Sequence, residues 1–149
     1  MNFSIYSIAC IKRDFLTLST INSNSFDINS KNQIGNSLLH LSVYNKHLDV
    51  VSFLLQKGAD INIVNAQNET ILHACSYIDN LVIADYLLHV GIDLSIRNNH
   101  NQTALDLAKK YASVPLVEHL EKFSNFISLN YDLALKPINH LKICNKIKI

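Results

Sequence analysis

The sequence predicts an all-α solenoid of about four stacked helix-turn-helix units, with β-hairpin-like loops projecting from one flank. Three observations predict it. Shifted by 33 residues, the chain matches itself: "GNSLLHLSVYNKH" (35–47), "NETILHACSYIDN" (68–80) and "NQTALDLAKKYAS" (101–113) fall into register. The same shift places Asp27 on Asp60 and Asp93, Gly58 on Gly91, and the Leu54-Leu55 pair on Leu87-Leu88. Ser37, Thr70 and Thr103 form a further column just ahead of an apolar segment. Self-similarity at one fixed period is the signature of an array in which each unit buries its apolar face against its neighbours.

The elements of the unit follow in order. Ser37, Thr70 and Thr103 offer a side-chain oxygen to the free N–H groups of a helix start. A first helix of about two turns follows, as in Leu38, Leu39, Leu41 and Ser42, and breaks at "YNKH" or "YIDN". The second helix carries Leu48, Val51, Phe53, Leu54 and Leu55, matched in spacing by Leu81, Ala84, Tyr86, Leu87 and Leu88. Gly58 and Gly91 stand where a left-handed residue ends that helix. Loops rich in Asn and Asp lead to the next cap. Ile71 and Leu72 are expected in the stack, with Ala74 and Cys75 small enough to let helices approach.

The unit resembles the ankyrin repeat. The family's Asp-x-x-Gly-x-Thr-Pro-Leu-His-x-Ala pattern appears as "NQIGNSLLHLS" (32–42), "NAQNETILHAC" (65–75) and "NNHNQTALDLA" (98–108), and its later "LLxxGAD" as "LLQKGAD" (54–60) and "LLHVGID" (87–93). A weaker first copy combines "SIYSIACIKRD" (4–14) with "FDIN" (26–29). The resemblance divides residues 1–123 into units at about 2–31, 32–64, 65–97 and 98–123. The family's Pro is replaced by Leu38, Ile71 and Ala104, and the Gly between its helices by Lys46, Asp79 and Ala112. The last three are therefore expected to sit in a strained turn at modest cost. Pro115 falls early in a second helix, where a missing N–H does no harm. The resemblance also implies that His40 and His73 bond to the backbone of adjacent loops and are structural.

Composition narrows the function classes. A chain of 149 residues is expected to form one domain, and although 48% of it is hydrophobic, no run approaches the length that crosses a bilayer. "MNFSIYSIACIKR" has its charges after the apolar part, so no secretory leader is expected. A net charge of +1 gives no global attraction to nucleic acid. Cys10, Cys75 and Cys144 are odd in number and far apart, which suits a reducing compartment. The only glycines are Gly35, Gly58 and Gly91, so no Gly-rich phosphate loop exists, and neither Cys-x-x-Cys nor His-Glu-x-x-His occurs. His47, His89, His100, His119 and His140 are expected to be solvated, sharing no face with one another or with a carboxylate. No catalytic residue, metal or cofactor is expected, and the chain is expected to be a monomer and not an enzyme.

What remains is a binding surface. By the family's pattern the loop tips and the exposed edge of each first helix face the partner. In the second unit these are Gln33, Ile34, Asn36, Tyr44 and Asn45. The third offers Ala66, Gln67, Glu69, Tyr77 and Ile78, and the fourth Asn99, His100, Gln102, Lys110 and Tyr111. Tyr44 and Tyr77 share a column and are expected to be neighbours along the groove, with Tyr111 one step off. Tyr supplies contact area at small entropic cost. Lys31 and Arg97 lie beside the loop tips as solvated charge or a mild basic edge. Residues 124–149 leave the register, and Phe126, Ile127, Leu129, Leu133 and Leu135 suggest a helical cap over the last unit, followed by a basic tail with Lys136, Lys142, Lys146 and Lys148. The implied function is binding of a protein partner in the cytoplasm. The chain has 18 Asn and 18 Ile. Small ankyrin-like proteins of that composition are common in intracellular bacteria and large DNA viruses, which implies an effector or host-protein mimic delivered into host cytoplasm. The alternative is a housekeeping adaptor or an accessory subunit of an enzyme complex.

Overall fold

The structure is a computed structural model that describes residues 3–21 and 26–135, with side chains as far as Tyr131. Among the described residues it holds eight helices in four consecutive pairs. The first pair is α1 (Phe3–Lys12) with the short α2 (Phe15–Ser19); the second is α3 (Leu38–Tyr44) with α4 (Leu48–Gln56). The third is α5 (Ile71–Ile78) with α6 (Leu81–Val90), and the fourth α7 (Ala104–Tyr111) with α8 (Val114–Leu135). The first helices α1, α3, α5 and α7 pack in sequence, and α6 packs on α8. No described helix is long and apolar enough to cross a membrane.

The starts of α3, α5 and α7 are fixed where the sequence places them. Ser37 Oγ accepts the His40 N–H at 3.4 Å, and Thr103 Oγ1 accepts the Asp106 N–H at 3.2 Å. The reciprocal bonds close the cap: Ser37 N–H donates to His40 Nδ1 at 3.3 Å, Thr70 N–H to His73 Nδ1 at 3.1 Å, and Thr103 N–H to Asp106 Oδ2 at 2.9 Å. With Nδ1 accepting, the proton sits on Nε2, which donates to the carbonyl of the next unit's loop: His40 to Glu69 at 3.0 Å, His73 to Gln102 at 3.1 Å. Each imidazole thus ties two units together. Burial pushes both rings below the ordinary histidine pKa, so they are held neutral. Their structural role matches the expectation.

The core runs along the stack, with Leu38, Leu39, Leu54, Ile71, Leu72, Leu87 and Leu107 all but fully buried. Cys10 and Cys75 are buried free thiols, and burial raises the Cys10 pKa to about 12. Ser76 Oγ donates to the Ala104 carbonyl at 2.8 Å, joining α5 to α7. Gly91 ends α6 at φ 101°, as the left-handed position requires. Between the paired helices, Arg13, Lys46 and Asp79 take up left-handed φ values of 56°, 60° and 50°. The expected strain at Lys46 and Asp79 is therefore present. Ala112 escapes it by extending to φ −96° and ψ 167°.

The loops owe their hairpin-like form to side chains more than to strands; the one isolated bridge among the described residues pairs Lys31 with Ser37. Asn32, Asn65 and Asn98 each receive two backbone N–H bonds on Oδ1, for example from Gln67 and Glu69 at 2.9 Å each. Gly35, Asn68 and Asn101 follow at φ 81°, 59° and 60°, the left-handed position that Gly and Asn tolerate best. A second ladder joins the loops: Asn29 Oδ1 accepts the Asp60 N–H and Asn62 Oδ1 the Asp93 N–H, both at 2.9 Å.

The C-terminal segment is helical as expected as far as Leu135, but it continues the last helix of the fourth unit and does not start a new one. Nothing after Pro115 breaks a helix, so α8 runs unbroken through residues 123 and 124. Phe126, Leu129 and Tyr131 stand 62%, 62% and 72% exposed, while Ile127, 46% exposed, lines a hollow with Leu105 of the last unit and Ile92. The expected basic tail lies outside the described residues, as do His140 and Cys144.

Candidate partner-binding surface

The surface is built by α1, α3, α5 and α7 together with the loop tips that precede them. The 33-residue column that carries it holds Ile11, Tyr44, Tyr77 and Lys110. Of the anticipated residues, Gln33, Ile34, Ala66, Gln67, Tyr77, Asn99, His100, Lys110 and Tyr111 are exposed on this side. Tyr44, Asn45, Ile78 and Gln102 are half-buried. Asn45 spends its side chain on its own helix, donating from Nδ2 to the Leu41 carbonyl at 2.8 Å.

Asn36 and Glu69 are not loop-tip contacts as expected, since each is only 8% exposed. The cause is the loop geometry. Asn32 and Asn65 bind the N–H four residues on, which draws positions 36 and 69 beneath the turn. The aromatic row also differs from expectation. The ring beside Tyr77 is Tyr111, with centroids 5.5 Å apart and planes tilted by 42°, and the Lys110 ammonium lies 4.8 Å from the Tyr111 centroid. Tyr44 is packed against the core, and burial, then the charge of Glu69, raises its pKa. Desolvation, then the bond to Glu69, keeps the Tyr77 hydroxyl protonated far above its ordinary range.

The loop tips are stapled to one another. Asn99 N–H donates to the Gln67 carbonyl at 2.9 Å and Asn99 Nδ2 to the Ala66 carbonyl at 3.2 Å. Arg97 Nη1 donates to the Asn101 carbonyl at 2.8 Å, so that cation braces its own loop. A surface stapled in this way is preorganised for binding.

One part of the surface was absent from the sequence expectation. A hollow of about 580 Å³ opens at the first two units, lined by Phe3, Ser4, Ser7, Ile11 and Leu41 and by the loop from Lys31 to Ile34. Ile11 and Ile34 stand 45% and 62% exposed there. The signal was available: Ile11 lies one period before Tyr44. Two histidines also differ from expectation. His119 Nε2 lies 2.8 Å from Asp85 Oδ1, and His89 Nδ1 lies 3.4 Å from the same oxygen. Asp85 and His89 are four apart on α6, and the stacking of α8 on α6 brings His119 to them. His47 is not free either, its Nε2 being 3.0 Å from the Ile11 carbonyl oxygen. Among the described residues, no group of three or more His, Cys, Asp or Glu is placed to hold a metal ion.

Stacked helix pairs, capping histidines that cross to the next loop, and a stapled loop row define a repeat protein with one open side. Residues 7–98 match the family model described as ankyrin repeats (3 copies). The chain belongs to the ankyrin repeat family. Such repeats are generally protein–protein interaction modules. Comparison with curated proteins gives no match.

Proposed function

We propose that this chain holds a partner protein against the loop tips and inner helices of its four units and has no catalytic role. The observation that carries this is the exposed, neighbouring pair Tyr77 and Tyr111, 41% and 51% exposed on a surface otherwise tied down by hydrogen bonds. Rings left open on a rigid frame bury area on binding without an ordering cost. The amides of Gln33, Gln67 and Asn99 supply a polar rim. A monomer working in the cytoplasm suits this role. The Asn- and Ile-rich composition favours an effector or mimic acting on host proteins over a housekeeping adaptor.

The test follows from the placement of the rings. Tyr44 packs on the core, so its truncation would confound folding with binding. Tyr77→Ala combined with Tyr111→Ala is the cleaner variant. Capture from host-cell lysate, identified by mass spectrometry for the unaltered chain, should be lost, because one anchor is worth ~2 kcal/mol or more. Full capture by the variant, with an intact melt, would move binding elsewhere, the exposed apolar side chains of α8 being the next surface to truncate.

A further inference from the structure

Glu69 is the residue of the groove that the stack does not explain. Its backbone does what that column does in every unit: the N–H donates to Asn65 Oδ1 at 2.9 Å, and the carbonyl accepts the Asn65 N–H and the His40 ring. Asn36 and Gln102 make the equivalent loop bonds with neutral amide side chains. An acid is therefore not required by the framework, and the third unit has the one acid of that column.

The side chain is also incompletely matched. Oε1 accepts the Tyr77 hydroxyl at 2.8 Å and Oε2 accepts Asn65 Nδ2 at 3.2 Å, while the residue is 8% exposed. Among the described residues, no Lys, Arg or His nitrogen comes within 4.0 Å of its carboxylate oxygens. A buried carboxylate is costly unless a cation meets it. The Tyr77 hydroxyl that reaches it belongs to a ring open to the groove, and the neighbouring Tyr111 ring already attracts the Lys110 ammonium at 4.8 Å.

We propose that Glu69, Tyr77 and Tyr111 form the seat of a cationic side chain, an arginine or lysine, presented by the partner protein. The inference rests on the groove being the binding face and names the chemistry the groove selects. The incoming cation lies against the Tyr77 ring and pairs with Glu69; a guanidinium suits both, being planar and weakly hydrated. Lys110 holds the Tyr111 ring in the free protein and gives way or shifts outward. At the other end of the groove the hollow, with Phe3, Ile11, Ile34 and Leu41 as its apolar wall and Ser4, Ser7, Asn32 and Gln33 beside them, takes an uncharged side chain, with Lys31 in its lining turning a second cation away. Adjacent helices lie ~8–10 Å apart, and an extended chain covers ~3.3 Å per residue. The apolar anchor and the cation should then be separated by about three to six residues of the partner.

The test uses the full chain and a phage-displayed random dodecapeptide library. Selected peptides should be enriched in an Arg or Lys that follows or precedes an apolar residue at that separation. For a selected peptide, Arg→citrulline should weaken binding at least about tenfold, the loss usual for a desolvated charge pair. Glu69→Gln keeps the shape; its Oε1 can accept from Asn65 Nδ2 while its Nε2 donates to the Tyr77 hydroxyl oxygen, which turns from donor to acceptor. It should weaken the arginine peptide equally and leave the citrulline peptide unchanged, with a nearly unaltered melt. Peptides that depend on Tyr77 and Tyr111 yet show no cation enrichment, or bind Glu69→Gln undiminished, overturn this inference and leave the groove standing. Peptides indifferent to both rings, or none selected at all, overturn the groove itself and the inference with it.

Discussion

Leucine-to-alanine replacement at two positions separates the stack from its surface. Leu72 lies in α5, between α3 and α7, and is 0% exposed. Leu16 lies in α2 of the first pair and is 83% exposed. The chemical change is the same, so the difference isolates burial. At Leu72 the transfer loss is joined by a cavity, because neighbours on both sides are held by the caps and by the Ser76 bond to Ala104. Truncations of this kind cost ~2–5 kcal/mol, and poor collapse places Leu72 in the upper half. A domain of this size loses ~2–4 °C of Tm per kcal/mol, so Leu72→Ala should lower the midpoint by roughly 10 °C. Leu16→Ala should shift it by less than about 2 °C, as for an ordinary surface site. Far-ultraviolet circular dichroism followed on heating measures both. Equal shifts for the two variants would refute the placement of α5 at the centre of the stack.

Three further outcomes are expected. Lys46→Gly should raise the midpoint slightly, since it relieves a left-handed φ of 60° that costs ~1–2 kcal/mol in an L-residue, partly offset by the freer unfolded chain; a lower midpoint would show that the turn is not strained. Gly35→Ala should cost about 2 kcal/mol or more, because φ is +81° and the added Cβ would lie 2.4 Å from the Ala66 nitrogen; an unchanged melt would mean that the two loops do not meet. For acid, burial depresses the folded pKa of His40 and His73 below 6.5. The unfolded chain therefore takes up protons first, and the stability contributed by the neutral rings is complete above pH 6.5 and falls as pH drops through the folded values, about 1.4 kcal/mol for each unit of depression. Urea unfolding at successive pH values should show that decline, and the His40→Gln, His73→Gln variant should be flatter in the same window.

The fold was legible because the array repeats its physics. The caps at Ser37, Thr70 and Thr103 and the glycines at 58 and 91 are local requirements, met by residue type at a fixed interval, and the interval itself marks the strained left-handed turns at Lys46 and Asp79. The C-terminal limit was less legible because loss of the 33-residue register was read as the start of a new element. A helix continues until something stops it, and between Pro115 and Leu135 there is no Gly or Pro to do so. Register describes stacking; breakers describe where helices end.

The candidate face was legible by column and not by depth. Position within the repeat placed Tyr77, Tyr111 and the loop tips on the open side, and extending the column one unit upstream reaches Ile11. Depth depends on bonds that the column does not display. Asn65 draws Glu69 under the loop by binding its N–H, and the same burial removes water that would otherwise solvate the carboxylate. Glu69 thus changes from a solvated loop charge, worth little in recognition, to a desolvated one whose pairing can decide which partner is accepted. An exposed acid at this column would pair with passing cations weakly and in high salt hardly at all. A buried one would reject an apolar or acidic side chain by staying without a cation, so on the proposed reading the loop geometry that hid Glu69 from the sequence pattern is also what would let the central unit discriminate.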